Sequence, residues 1–133
     1  MAPLPTYVLI TPARNEAQFI ESTVKSVIAQ TVPPVKWVIV SDGSTDGTDE
    51  IVSRYLKEYT WIELLRMPER AERHFAGKVF AFDAGYERIK DLGVDVVGNL
   101  DADVTFEPDH FEYLLKMAAS DPKLGVLDRK STV

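Results

Sequence analysis

Cysteine is absent from the 133 residues, which rules out a disulfide framework and any thiolate metal site and is compatible with a reducing compartment. A surplus of positive charge is absent too. Lys+Arg 15 against Asp+Glu 21 leaves a net charge of -6, so the chain lacks the basic face that general nucleic-acid binding demands. An anionic ligand would need local help. No segment approaches the roughly 20 apolar residues of a membrane span, and Met1-Ala2-Pro3-Leu4-Pro5 has no basic region leading into an apolar one. A cytoplasmic location without a membrane span is therefore expected, at the cytoplasmic membrane face if a further C-terminal part attaches the protein there. What is present, 45% hydrophobic and 27% charged residues, is the makeup of one soluble domain with a real core over 1–133. The ordered part is expected at about 6–127, with a frayed polar tail at 128–133.

The hydrophobic pattern switches repeatedly between two periods. Tyr7-Val8-Leu9-Ile10 is a continuous apolar run closed by Thr11-Pro12, as in a strand buried on both faces of a parallel sheet. From 16 to 30, Phe19, Ile20, Val24, Val27 and Ile28 recur at helical spacing, and Pro33-Pro34 stops the chain beyond them. Strands are predicted again at 37–40, 62–65 and 94–100, with a short last one at 125–127. Helices are predicted from the turn at 41–47 through Tyr59, capped by Thr48 or Asp46, from Lys78 to Leu92 with Gly93 ending it, and from Pro108 to Ala119. Strict β-α alternation of this kind predicts an α/β fold, an open, mostly parallel Rossmann-like sheet flanked by helices, with ligands at the carboxyl ends of its strands.

Three of those strand ends carry chemistry. Asp101 and Asp103 stand at the end of the fourth strand, and because strand side chains alternate faces they point the same way with Ala102 opposite. Two adjacent carboxylates repel unless a cation or proton intervenes. A hard divalent ion, Mg²⁺ or Mn²⁺, suits such a pair because it completes its shell with water and phosphate oxygens. The second strand ends in Ser41-Asp42-Gly43-Ser44-Thr45-Asp46-Gly47-Thr48, where glycines let the backbone approach a ligand and Asp42 could accept from a nucleobase N–H. The first ends in Thr11-Pro12-Ala13-Arg14-Asn15-Glu16, offering Arg14 for a phosphate or base and Glu16 at a helix start. Between 66 and 78, Arg66, Arg70, Arg73 and Lys78 outnumber Glu69 and Glu72, and a helix starting near Lys78 would add its N-terminal N–H groups to a diphosphate site. Each segment alone also has an ordinary reading: a solvated acidic strand end, a strand-to-helix turn, a helix-dipole carboxylate, a charged loop.

Taken together the segments resemble the large glycosyltransferase family 2, of GT-A fold, which includes polysaccharide synthases and dolichyl-phosphate mannose synthases. The resemblance runs from Tyr7 to about Val126 and rests on 11–16, 41–48, Gly-Lys-Val-Phe-Ala-Phe-Asp-Ala-Gly at 77–85, and the DXD motif at 101–103. It implies a GT-A, nucleotide-diphospho-sugar transferase fold and a metal-dependent, inverting transfer of sugar from a UDP- or GDP-sugar to a saccharide, lipid or protein acceptor. It also implies Asp42 against the base, Glu16 and Pro12 beside the nucleoside, Lys78 near the diphosphate, Asp101 near the ribose or sugar, and Asp103 on Mn²⁺ or Mg²⁺. The chain departs from the family pattern at Arg14, often aromatic there, and at Asp83, usually Asn. The family's acceptor-deprotonating carboxylate comes from beyond the region represented, and Glu107, Asp109 and Glu112 follow the metal motif too closely to supply it. The expectation is either a truncated chain or a short relative, binding the donor with little or no transfer activity. Two alternatives stay open: a non-catalytic nucleotide-sugar-binding or regulatory module, and a phospho-receiver domain, which would need an acidic pair where this chain reads Thr11-Pro12-Ala13-Arg14.

Overall fold

A computed structural model describes residues 4–67 and 75–120, with 75–79 and 120 described through their backbone alone. Eight elements alternate without exception: β1 (Tyr7–Ala13), α1 (Ile20–Ile28), β2 (Lys36–Asp42), α2 (Thr48–Leu56), β3 (Ile62–Met67), α3 (Phe75–Glu87), β4 (Val96–Asn99) and α4 (His110–Ser120). The strands form one parallel sheet in the order β3-β2-β1-β4. The chain therefore builds outward from β1 to β3 and then returns across to place β4 on β1's other side, which makes the β1–β4 junction the topological switch point.

Strand alternation divides the core in two. Tyr7, Leu9, Trp37, Ile39 and Ile62 face α1, α2 and α4 and pack with Ile20, Val24, Val27, Val52, Phe111 and Leu115. Val8, Ile10, Val38 and Val40 face the other way, under Ala81, Phe82 and Ile89 in and just beyond α3. Each such fully buried aliphatic side chain contributes roughly 1.5–3 kcal/mol relative to exposure. A polar contact between β1 and β2 inside this core is satisfied: Trp37 Nε1 donates to Thr11 Oγ1 at 2.8 Å, both residues being fully buried. α3 sits close on its sheet face because Gly85 carries no side chain; a Cβ there would lie 2.6 Å from Ile10 Cγ2 and 3.1 Å from Val40 Cγ2.

The sheet corrects several predicted boundaries, each for a local reason. β1 continues through Thr11 and Pro12 to Ala13. Tyr7 O accepts from Val35 N on the β2 side, whereas Thr6 O and Ile10 O accept from Val96 and Leu100 on the β4 side. Pro12 shares the parity of Ile10, so its missing N–H faces β4's side, beyond the point where β4 ends opposite Ile10. α1 starts at Ile20 instead of 16: residues 17–19 form a turn in which Phe19 N and Ile20 N both donate to Glu16 O, while the N–H groups of Glu16 and Ala17 are bonded across to Thr48 and Asp46. α3 starts at Phe75 and ends at Glu87, five residues short of Leu92. Beyond Glu87 the bonds Arg88 to Gly85, Ile89 to Tyr86 and Leu92 to Ile89 are three-residue turns, and Gly93 takes φ 69. β4 is confined to 96–99, and α4 opens at His110, after a turn through Pro108 and Asp109. The predicted strand at 125–127 and the tail at 128–133 lie outside the described residues. Among the described residues, no helix is long and apolar enough to cross a membrane.

Candidate functional site

All four strands are parallel, so their carboxyl ends share one edge of the sheet, and the segments 13–19, 42–48 and 100–109 leave from it. The first two are fastened to each other. Asn15 takes a left-handed φ of 51, a conformation that Asn tolerates better than most residues. From there its Oδ1 accepts from Thr45 N at 2.8 Å while its own N–H donates to Ser44 Oγ at 3.1 Å. Glu16 N donates to Thr48 Oγ1 at 2.9 Å, and Ala17 N to Asp46 Oδ2 at 3.0 Å. The other oxygen of Asp46 accepts from Thr48 N and Thr48 Oγ1 at 3.1 and 2.5 Å. Burial alone would push the Asp46 carboxyl up, but the bonds from Thr48 and from Ala17 N–H outweigh it and hold the pKa below the ordinary Asp value.

That carboxylate also settles how α2 begins. Gly47, at φ 98, is the residue preceding the first helical turn and has no side chain to cap with; Asp46 reaches Thr48 N instead. Acidic Asp49 and Glu50 follow in the first turn, where the helix dipole favours them. At the far end of α1, Gln30 Nε2 donates to Ser26 O at 3.1 Å and to Glu107 O at 2.8 Å while its Oε1 accepts from Phe111 N at 3.0 Å. One buried amide thus ties α1 to the start of α4, helped by Thr31 N donating to Pro108 O at 2.8 Å.

Asp42 closes β2 and is only 7% exposed. Alternation puts it on the α3 face of the sheet with Val38 and Val40, the face that Pro12 shares with Ile10. Arg14 crosses from the first loop and donates from Nη1 to the Asp42 backbone carbonyl at 2.6 Å. One of its five N–H donors therefore braces the end of β2. Pro12, Arg14 and Glu16 are half-buried, on the rim between β1 and β2. These four expected site residues are brought together.

The acidic pair stands on the other side of β1. The sheet ladder ends where Leu100 N donates to Ile10 O at 2.9 Å, and Ala102 and Asp103 form a turn. The pleat of β4 thus does not orient Asp101 and Asp103, as the sequence had led us to expect. Asp101 and Asp103 are exposed on either side of Ala102, which is buried against the α1-side core, and Thr23 of α1 reaches the same turn. Thr23 Oγ1 shares its one proton between Val104 O at 2.8 Å and Ala102 O at 3.1 Å. Beyond this turn Phe106 stacks on His110 at 4.8 Å and meets Phe111 edge-on at 5.2 Å, seating the segment on α4. Among the described residues, no three His, Cys, Asp or Glu side chains gather into a group able to hold an ion unaided. Asp101 and Asp103 are both exposed, and a pair of carboxylates is a donor set of the kind that Mg²⁺ or Mn²⁺ completes with phosphate and water.

Lys78 falls in the first turn of α3, and its side chain lies outside the described residues, as do Arg70 and Arg73. Arg66 pairs with Asp49 at 3.4 Å, on α2. Sequence reasoning missed Asn15, Thr23 and Gln30 as organisers of the site. Thr23 and Gln30 left one signal, a polar residue at an inward-facing position of an apolar helical stripe.

A family model described as Glycosyl transferase family 2 matches residues 8–131. The poly-beta-1,6-N-acetyl-D-glucosamine synthase of Staphylococcus aureus (strain COL) is 32% identical over 113 residues, 85% of this chain and 25% of that protein. The chondroitin synthase of Pasteurella multocida (strain Pm70) is 29% identical over 122 residues, 92% of this chain and 12% of that protein. Among solved structures, the mannosyltransferase PcManGT from Pyrobaculum calidifontis, in complex with GDP-Man and Mn²⁺, superposes with a TM-score of 0.73 at 26% identity, covering 93% of this chain and 35% of that one. The chain thus spans a quarter or less of these two curated relatives, and its sheet and helices have the GT-A architecture.

Proposed function

This chain belongs to glycosyl transferase family 2, and from that premise we propose that it supplies the donor-binding half of a metal-dependent, inverting glycosyltransferase that uses a UDP- or GDP-sugar. The observation that carries the reading is the convergence of three motif segments, 11–16, 41–48 and 101–103, on one edge of a parallel sheet, at and beside its switch point. The PcManGT complex with GDP-Man and Mn²⁺ supports it from the side of a relative.

On this reading the nucleoside lies over the carboxyl ends of β1 and β2. Asp42, braced by Arg14, accepts from a base N–H, and its burial excludes the water that would compete for that bond. Glu16 lines the nucleoside from a loop that Asp46, Asn15 and Thr48 hold rigid before any ligand arrives, which lowers the ordering cost of binding. Pro12 leaves no N–H directed at the gap between β1 and the acidic turn. Lys78, at the start of α3, approaches the diphosphate with the free N–H groups of that helix end. Asp101 meets the ribose or sugar, and Asp101 with Asp103 would hold Mn²⁺ or Mg²⁺. Such an ion, when bound, acts as a Lewis acid that stabilises charge on the departing nucleoside diphosphate.

The test is a thermal-stabilisation panel of UDP-, GDP- and dTDP-sugars with and without Mn²⁺, since a ligand bound only by the folded state raises apparent stability by mass action. One nucleotide class should raise Tm, and more strongly with Mn²⁺. No stabilisation by any member at millimolar concentration, in either condition, would remove the donor-binding assignment.

A further inference from the structure

Thr23 is a polar residue on the inward stripe of α1, between Ile20, Val24 and Val27, and it is fully buried. A helical threonine ordinarily returns its hydroxyl to a carbonyl one turn back. This one does not: Phe19 O receives Thr23 N at 3.3 Å, and the hydroxyl leaves the helix for Ala102 O at 3.1 Å and Val104 O at 2.8 Å. Those two carbonyls bracket Asp103. Packing alone would be served by valine, which has nearly the same shape.

We infer that Thr23 is a positioning residue for the divalent ion: its hydroxyl holds the 102–103 and 104–105 peptide units and so the direction in which Asp103 and Asp101 present their carboxylates. The inference rests on the reading of those two carboxylates as metal-binding, given above. Its physical content is a population argument. Without the hydroxyl the turn at 101–105 has no bond to α1 and spreads over several arrangements, and the ion's apparent affinity falls by the fraction that remains competent. Groups that orient a ligand from outside the coordination shell are worth about 10- to 100-fold in metal affinity. The segment 16–28 then has two duties, since Glu16 and Ala17 ahead of α1 are bonded to Thr48 and Asp46 while the middle of α1 holds the acidic turn after β4.

The experiment compares Thr23→Val, Thr23→Ser, Asp103→Ala and the unsubstituted 133-residue chain by calorimetric titration of Mn²⁺ in the presence of UDP or GDP, and of each nucleotide without metal. Electron paramagnetic resonance of the bound Mn²⁺ reports the site's symmetry independently. Thr23→Val should weaken Mn²⁺ about 10- to 100-fold, alter the resonance and leave metal-free nucleotide binding unchanged, while Thr23→Ser should restore the wild-type affinity. If Asp103→Ala removes the Mn²⁺ response but Thr23→Val does not weaken it, or if Thr23→Ser fails to restore it, the positioning role is overturned and the metal reading stands. An Asp103→Ala chain that binds Mn²⁺ like the wild type overturns both. Should Thr23→Val not fold, Thr23→Ala removes the same hydroxyl without setting a methyl against the two carbonyls and decides between the same outcomes.

Discussion

Asp46 offers the sharpest test of how this site is preassembled. Replacing it by alanine removes the acceptor for Ala17 N, Thr48 N and Thr48 Oγ1 in one step, deleting one of the bonds that fasten the β1 and β2 loops and uncapping α2. Three bonds to a charged acceptor, taken singly, would suggest a loss of several kcal/mol. The carboxylate is exposed, however, so water replaces much of what is lost and screening weakens the rest. The better comparison is deletion of a helix cap, which places the cost at about 1–2 kcal/mol. For a domain of this size that corresponds to a Tm lower by roughly 3–8 °C. The pH dependence follows from the depressed pKa. A carboxyl whose folded pKa lies below its unfolded value contributes its stability above the unfolded value and loses it as pH falls through the folded one. Urea unfolding of wild type and Asp46→Ala should therefore differ by a constant amount around neutral pH, and the gap should close below the ordinary carboxylate range. Glu21, Glu63 and Glu112 also have depressed pKa values, through Tyr55, through Lys36 and Arg88, and through Thr31 and Lys116, but they titrate in both proteins and cancel in the difference. A gap that persists unchanged into acid, or that is absent at neutral pH, would refute the role assigned to this carboxylate.

Three further outcomes are expected. Asp103→Ala should abolish the enhancement of nucleoside diphosphate binding by Mn²⁺ without lowering Tm, because its side chain is exposed; calorimetry with and without the metal checks it. Asp42→Ala should weaken UDP or GDP by a larger factor than pyrophosphate, and equal losses in competition assays would end its base-recognition role. Gly85→Ala should destabilise by about 1–3 kcal/mol through overpacking, since the new methyl would meet Ile10 and Val40; urea unfolding measures the cost, and an unchanged midpoint would show that α3 can lift from the sheet freely.

The alternation of periods in the sequence determined the element order, the parallel sheet and the core residues of the strands, whereas Phe19, on the expected helical stripe, is exposed and the core side of α4, with Phe111, Leu114 and Leu115, emerged only in the structure. Runs such as Tyr7 to Ile10 and Trp37 to Val40 can bury both faces only between helices, so local pattern and global fold carry the same information. It also determined which strand ends bear polar chemistry, because turn residues and carboxylates stand out against those runs. Tertiary structure alone decided how these ends are held. Asn15 turning left-handed, Asp46 bonding Ala17, and Thr23 and Gln30 reaching to 102–104 and 107–111 all join residues 29 to 81 positions apart. No local spacing encodes such partners. The same holds for the end of β1, which runs through Pro12 because the neighbouring strand has already stopped. A backbone group's partner depends on what the fold brings near it, and that is settled only when the sheet assembles.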